Sequence, residues 1–554
     1  MSLPEAVGLL SQGDRVTMIP TPEDNESPSR FAERIGEFYS ESTSCGHKKE
    51  LGQYLTPLEV AKFMAQLSEV SGADAIRILD PGAGAGILSS SILEVLGRHK
   101  KTKKIYLDAY ELDDTLADCL ERVLAYASAW LQKKGVFLEC RIKRTDFVLD
   151  NANALDRSPQ LFGTQHTKKP EFDIVISNPP YFKIPITDPR AKAASAVVYG
   201  QPNLYAIFMA VSSALLREGG ELIFITPRSY AAGPYFQLFR ERFFEIMLPK
   251  KIHLFHSRKN AFSKDEVLQE NVILHAERIT NWAKRSIGYD VQLTTSSGLG
   301  DLDSPTRRVV PIEAVLDSNL NDKILRIPTT AMHDEVSRIV HSWSGSLNKY
   351  GLQISTGPVV PFRALNLLSK NGKVPETHAP LLWMQNVTAM NIEWPRQDVT
   401  KQQYVAINDA SQPILVPNKN YVLLRRFSAK EQEKRLTAAP YICEAFKTPF
   451  LGLENHLNYI HRPNGKLHRE EAYGLATLLN SSLLDEYFRT SNGNTQVSAT
   501  ELRAMPLPSL EIITHLGKRI LSEKIHLDGL DELISEVLNY DADFNMRLSG
   551  VANA

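Results

Sequence analysis

Cysteine is scarce in this 554-residue chain, and the four present, Cys45, Cys119, Cys140 and Cys443, stand too far apart for a paired-thiolate zinc site or a dense disulfide framework. An excess of one charge is also missing. Lys plus Arg numbers 63 and Asp plus Glu 64, a net of −1, so no chain-wide field attracts a polyanion and any nucleic-acid surface must be local. Every apolar run is broken by charge before the roughly 18 residues of a membrane span, and the first residues lack the basic start and apolar core of a secretory signal. Together these absences set the expectation of a cytoplasmic chain with reduced thiols and no membrane partner. What remains is 43% hydrophobic and 23% charged, with Gly 30 and Pro 31, which excludes a wholly disordered chain, a collagen-like repeat and a charged rod. The length fits several folding units at roughly 150 residues each, or two if the units are large.

Residues 1–48 read as a polar arm followed by a short helix, because Phe31, Ile35 and Phe38 begin an apolar rhythm of helical spacing. From residue 49 helical and strand patterns alternate. Helices are expected near 57–70, 87–97, 114–133 and 203–217, and strands at 76–79, 105–110, 137–142, 172–176 and 221–225. That alternation predicts a mostly parallel sheet covered by helices. The Ser/Gly-rich phrase at 294–305 reads as a linker or domain edge, closing a first domain of 49–300. Residues 306–510 have a different texture, with short apolar runs interrupted by Pro, Asn and Gly, and 511–554 suggest a terminal helical segment. Residues 305–504 hold 23 basic and 18 acidic side chains, a local net of +5, so the balanced total conceals a mildly basic region.

The sharpest local feature is Asp80-Pro81-Gly82-Ala83-Gly84-Ala85-Gly86, placed after one strand and before a helix. Glycines let such a turn approach a cofactor at the carboxyl end of a parallel strand. The absence of a Gly-Lys-Ser/Thr ending argues against a nucleoside-triphosphate loop. Glu111, after the strand ending IYLDAY, can accept both hydroxyls of a ribose, and Asp146, after the next strand, can accept an adenine amino group. Each alone also reads as a solvated acid at a strand end; together they form a nucleoside-binding row. Asn178-Pro179-Pro180-Tyr181 follows the strand FDIVIS, where two prolines stiffen a loop at the same edge of the sheet.

GQYLTP at 52–57, DPGAGAG at 80–86, YELD at 110–113, DF at 146–147 and NPPY at 178–181, in this order, resemble the gamma-type adenine-N6 DNA methyltransferases of the Eco57I-like restriction-modification methylase family. The resemblance is strong over about 50–280. It implies an α/β fold, a Rossmann-like S-adenosylmethionine-dependent methyltransferase domain followed by a C-terminal mixed α+β domain for DNA recognition. It further implies that S-adenosylmethionine is held by Tyr54, Thr56 and Pro57, by Asp80, Gly82 and Gly84, by Glu111 on the ribose, and by Asp146 and Phe147 on the adenine. Tyr54 and Phe147 could equally fill a core.

An exocyclic adenine amine is a poor nucleophile because its lone pair is delocalised into the ring. The Asn178 side-chain oxygen and the Pro179 carbonyl can orient its hydrogens and favour the positive charge that develops on nitrogen. In a duplex the base must leave the stack to reach such a loop. Tyr181 could stack on it, and Phe262 resembles the family's second stacking residue, with Phe255 a competing placement. Physics alone leaves N4-cytosine open; Asn at 178 favours adenine by resemblance, since the cytosine members usually carry Ser there.

For DNA contacts the candidates are Arg425, Arg426 and Lys430 in YVLLRRFSAK and Asn492, Asn494, Thr495 and Gln496 in SNGNTQV, although the first group also reads as a solvated charge run and the second as a turn. The surrounding phrases resemble the family's C-terminal recognition regions. With no nuclease constellation evident and no metal site expected, the chain is expected to modify double-stranded DNA as a monomer, leaving cleavage to a separately encoded restriction endonuclease. The alternatives are a methyltransferase acting on a protein glutamine or an RNA amine, and a catalytically silent DNA-binding subunit.

Overall fold

A computed structural model describes residues 9–12, 15–43, 55–70, 72–156, 170–255, 270–285, 288–316, 322–397, 400–428, 432–491 and 496–548. The chain divides into two compact units, the first made of Met1–Ala231 and Tyr235–Thr329, the second of Ala232–Pro234 and Thr330–Ala554.

The first unit is built on a nine-stranded sheet. Helix α1 (Pro28–Ser42) is followed by α2 (Leu58–Gln66), β1 (Ala75–Pro81), α3 (Ile87–Leu96), β2 (Lys104–Tyr110), α4 (Asp114–Gln132), β3 (Phe137–Lys143) and the short α5 (Phe147–Asn151). Then come β4 (Phe172–Ser177), α6 (Leu204–Leu215), β5 (Leu216–Pro227), α7 (Gln237–Ile246), β6 (Met247–Phe255), β7 (Asn271–Arg278), β8 (Asp290–Ser296) and β9 (Thr306–Pro311). The strand order is β9-β8-β6-β7-β5-β4-β1-β2-β3. Strands β1 to β5 pair in parallel, whereas β7 runs antiparallel to both β5 and β6. Central strands covered on both faces are mostly apolar, and all six residues of β4 are buried, the polar Asp173 and Ser177 with hydrogen-bond partners.

Register decides where the loops emerge. Pro81 pairs with Tyr110 and Tyr110 with Lys143, so the turns leaving β1, β2 and β3 open on one edge, beside the loop leaving β4. The chain reverses direction across the sheet between β1 and β4, which is where parallel sheets form their ligand crevice.

The expected helix at the N-terminus is α1. Its Ser27 cap accepts from the Arg30 amide, and Phe31, Ala32, Ile35 and Tyr39 pack with Leu116, Cys119 and Val123 of α4. The stretch at 294–305, by contrast, is no linker between units. It closes the β8–β9 hairpin, with the Asp301 carboxylate accepting from the Ser297 and Gly298 amides and Leu302 buried; the units divide further along the chain, between Thr329 and Thr330. Polar and glycine-rich composition marks a turn as readily as a linker, and only the pairing distinguishes them.

The second unit begins with α8 (Ala331–His341), then β10 (Gln353–Thr356), β11 (Leu368–Ser369), β12 (His378–Leu382), β13 (Tyr404–Ala406), β14 (Leu415–Pro417), β15 (Tyr421–Arg425), β16 (Ala438–Tyr441), β17 (Phe450–Leu453) and β18 (Leu457–His461). They form a four-stranded sheet, β10-β18-β15-β16, and a five-stranded one, β11-β13-β12-β17-β14. Helices α9 (Arg469–Leu479), α10 (Ser482–Ser491), α11 (Leu510–Glu523) and α12 (Leu530–Leu538) complete it. Helices α9 and α11 touch through Gly474 and Gly517, where a Cβ would collide with the Ile513 and Glu470 carbonyls. Residues after 510 are therefore part of this unit's core, as buried Ile513, Leu516, Leu533 and Ile534 confirm. No helix among the described residues is long and apolar enough to cross a membrane.

Candidate active site

The turn after β1 needs glycine for its backbone. Gly82, Gly84 and Gly86 have φ of 76°, 58° and 82°, a region that side chains disfavour, and a Cβ on Gly86 would lie 2.6 Å from Leu120. The Gly82 and Ala83 amides both donate to the Tyr110 carbonyl, at 3.0 and 2.9 Å, and fasten the turn to the end of β2. Glu111 is the next residue. One of its oxygens accepts from the Gly84 amide at 2.9 Å and the other from the Asp113 amide at 2.9 Å. Burial raises its pKa above the usual carboxylate range, while those two amides pull the other way. It is thus no solvated strand-end acid.

A single cleft at this edge of the sheet is lined by Gly82, Gly84, Glu111, Asp146, Phe147, Asn178 and Pro180, all singled out in the sequence. Phe147 is buried edge-on to Tyr110 at 5.2 Å between ring centroids, and lies 5.0 Å from Phe208, so three aromatic rings wall one side. Asp146 caps α5 by accepting from the Leu149 amide at 2.9 Å, and its other oxygen faces Arg190 at 3.9 Å. Arg190 itself pairs with Asp188 at 2.7 Å.

The site carries the features S-adenosylmethionine requires. Gly84 presents open space where a side chain would stand, a buried carboxylate faces that space, and apolar rings flank it. Asp80 takes a different position from the cleft residues. It lies fully buried beneath the turn, Oδ2 accepting from the Ser89 hydroxyl at 2.6 Å and Oδ1 having no hydrogen-bond partner among the described residues. Burial pushes its pKa up to about 7.

At the end of β4, Asn178 is held from two sides. Its amide nitrogen donates to the Thr56 hydroxyl at 3.0 Å, and its oxygen accepts from the Tyr181 hydroxyl at 2.6 Å. The Tyr181 hydroxyl has a second acceptor, the Ile225 carbonyl of β5, at 2.9 Å. Having one proton, it can serve only one of the two at a time. Tyr181 rests edge-on to Tyr205, which is buried and bonded to Ser229 at 2.6 Å. Thr56 therefore touches the Asn-Pro-Pro-Tyr loop, and Pro57 sets the extended start of α2 beside it.

Several expected residues are not among those brought together here. Phe255 is core, 1% exposed on β6 and edge-on to His253, which removes the competing stacking placement. Tyr54, Phe262, Lys430, Asn492, Asn494 and Thr495 lie outside the described residues. In the second unit, the Arg425 Nε donates to the Val387 carbonyl at 2.6 Å and Arg426 Nη1 to the Asn455 carbonyl at 2.9 Å. With its amide oxygen turned toward Arg426, Gln496 accepts from Nε at 2.8 Å and Nη2 at 2.5 Å. Neither arginine is a simple solvated charge. Sequence reasoning missed Tyr110, Phe182, Arg190, Leu204 and Phe208 as cleft residues. Leu204 and Phe208 are four apart on α6, a spacing that could have marked one face of the helix.

The Eco57I restriction-modification methylase family matches residues 89–262. The chain is similar to type II methyltransferase M.BsuBI of Bacillus subtilis, 34% identical over 499 residues that cover 89% of this chain and 95% of that protein. It is likewise similar to type II methyltransferase M.PstI of Providencia stuartii, 32% identical over 491 residues, 89% of this chain and 93% of that one. Among solved structures, that of a DrdV–DNA complex aligns at a TM-score of 0.46 and 13% identity, over 89% of this chain and 59% of that one.

Proposed function

The chain belongs to the Eco57I-like type II adenine-N6 DNA methyltransferase family, and from that premise we propose how its residues divide the labour of methylating adenine. The reaction is adenine-N6 methylation of DNA within a restriction-modification-type system, and S-adenosylmethionine supplies the electrophilic methyl group.

Asn178 is the centre of the proposal. Its side-chain oxygen and the Pro179 carbonyl accept hydrogen bonds from the target amine, drawing the nitrogen lone pair out of conjugation and meeting the charge that develops on it as the N–C bond forms and the methyl group leaves sulfur; the surplus N6 proton then passes to water. An amide can do this only if oxygen, not nitrogen, faces the amine. In the structure the amide nitrogen donates to the Thr56 hydroxyl, which leaves the oxygen for the amine, and this hydrogen bond, 3.0 Å long, is the observation that carries the reading. When the amine donates to the Asn178 oxygen, the Tyr181 hydroxyl turns its proton to the Ile225 carbonyl, already within reach at 2.9 Å, so neither group is left unsatisfied. Glu111 holds the ribose hydroxyls, Asp146 the adenine amino group, and Phe147 the adenine face of the methyl donor. Pro180 keeps the loop stiff, and positioning supplies a large share of the rate.

The substrate of this reading is duplex DNA, with the target adenine turned out of the stack at a cost of a few kcal/mol. The second unit reads the sequence; its local basicity and the Arg426–Gln496 pair support that role. The same reading takes the protein as a cytoplasmic monomer serving beside a separately encoded endonuclease. Family membership favours DNA over a protein glutamine or an RNA amine. The test is incubation with methyl-labelled S-adenosylmethionine and mixed-sequence duplex DNA, followed by nucleoside analysis and modification-sensitive sequencing. N6-methyladenine at one recurring word is expected; label appearing only in RNA or protein would overturn the duplex assignment.

A further inference from the structure

Phe362 is the most exposed large hydrophobic side chain among the described residues, at 72%, and Leu365, three residues on, is exposed at 62%. Both stand on one short loop, at 361–367, which folds as two consecutive 3-10 turns. From this loop we propose an apolar wedge for duplex DNA: Phe362 and Leu365 enter a base step while Arg363 meets the adjacent phosphate. The proposal rests on the duplex-DNA reading and deepens it by naming the element that distorts the duplex.

The loop's apolar residues are sorted rather than merely exposed. Ala364 is buried, and Leu367 packs on the small core of Val359, Leu381, Trp383 and Val405, so one side anchors while Phe362 and Leu365 project. Its backbone is fastened at close intervals. Gly357 donates to Leu457 at 2.8 Å, Val359 to Leu453 at 3.0 Å, Arg363 to Val360 at 3.0 Å and Leu367 to Ala364 at 2.8 Å. A side chain inserted between bases has to be presented rigidly, because a floppy loop would lose the contact to ordering entropy.

The chemistry of the loop selects a polyanion over a protein. Residues 357–375 contain Arg363, Lys370 and Lys373 and no acid, in a chain whose net charge is −1. The Arg363 guanidinium lies 5.4 Å from the Phe362 ring, is exposed, and has no carboxylate partner among the described residues. Exposed Asn366 adds an amide beside Leu365. This pairing of cation and apolar tip is the composition of side chains that unstack a base step while neutralising the backbone. The loop also shares its anchorage with the residues singled out for base contact. The Asn455 amide donates to the Val359 carbonyl at 2.9 Å, while the Asn455 carbonyl accepts from Arg426, the partner of Gln496.

The test uses the full chain and duplexes carrying the word that wild-type methylation maps, each with 2-aminopurine at one position in or beside it. Wild type is expected to raise fluorescence at one step other than the target adenine. Phe362→Ala combined with Leu365→Ala should abolish that signal and weaken duplex binding at least tenfold, with S-adenosylmethionine affinity and thermal unfolding unchanged. Phe362→Leu should retain most of both, and Arg363→Ala should weaken all duplexes alike and lower the salt dependence by about one counterion. A double variant that binds, methylates and fluoresces as wild type overturns the wedge alone. So does one that only alters the sedimentation of the free protein, which would make the loop a contact between copies. A wild type that leaves duplex DNA unmethylated overturns wedge and duplex assignment together.

Discussion

The two units place their chemistry by different means. In the first, the strand register aligns Pro81, Tyr110 and Lys143, and whatever follows each of them is delivered to one cleft. Function there is a property of strand ends, so a residue's place in the sequence nearly gives its place in space. In the second, two small sheets hold loops whose polar side chains are first used to tie the unit together, as Arg425 is to Val387 and Arg426 to Asn455. A basic residue there does not announce whether it faces DNA or its own backbone.

Removing the Asn178 amide strikes the strand-end design at its centre. Asn178→Ala is expected to lower the methylation rate on the order of 10³-fold, the cost of a preorganised polar group at the reacting atom, while equilibrium dialysis finds S-adenosylmethionine binding intact. Retained activity would mean that the strand-end loop is not where the chemistry occurs. Gly474→Ala strikes the other unit. The new methyl group meets the Ile513 carbonyl, backbone that cannot rotate away, so overpacking should cost roughly 1–3 kcal/mol or more. Calorimetry should then resolve an early transition for the second unit and an unchanged first one; a single shifted transition would show that the units unfold together.

Thr56→Val keeps the shape of Thr56 but frees the Asn178 amide to turn. Roughly a 10–100-fold fall in kcat is expected from the mispositioned acceptor, with KM for DNA nearly unchanged and Thr56→Ser restoring most activity. A rise in the dissociation constant of S-adenosylmethionine instead would return Thr56 to the role its sequence motif implied. The last effect is one of pH. Asp80 has a folded pKa of about 7, above the unfolded value of about 3.9, so the native state holds a proton that the unfolded chain releases. The stabilisation from that proton is complete below about pH 4 and lost as pH rises through about 7, on the order of 1 kcal/mol per pH unit within the window. Asp80→Asn cannot titrate. Relative to it, wild type should lose thermal stability between about pH 5 and pH 7 and run parallel above that; parallel curves throughout would show an ordinary carboxyl.

Much of the first unit was legible because its constraints are short-ranged. A glycine turn with positive φ, two prolines after a buried strand and an acid after each neighbouring strand all write themselves into a few consecutive residues. The contact between Thr56 and Asn178 was not legible because the two are 122 residues apart, and no local pattern records a hydrogen bond of that span. The phrase at 294–305 was misjudged for the opposite reason: hairpin and linker share a composition, and the difference lies in whether β8 finds β9.

By itself the sequence determined the alternation of strands and helices, the turn that only glycine can make, and the Asn-Pro-Pro-Tyr loop at the end of a buried strand, since backbone sterics and burial act over neighbouring residues. Tertiary structure alone decided that Thr56 meets the Asn178 amide, that Asp80 lies under the turn rather than in the cleft, that the terminal helices close the second unit's core, and that Phe362 projects where Leu367 anchors. Each of these depends on which distant surface a side chain meets, and that is settled only when the whole chain packs.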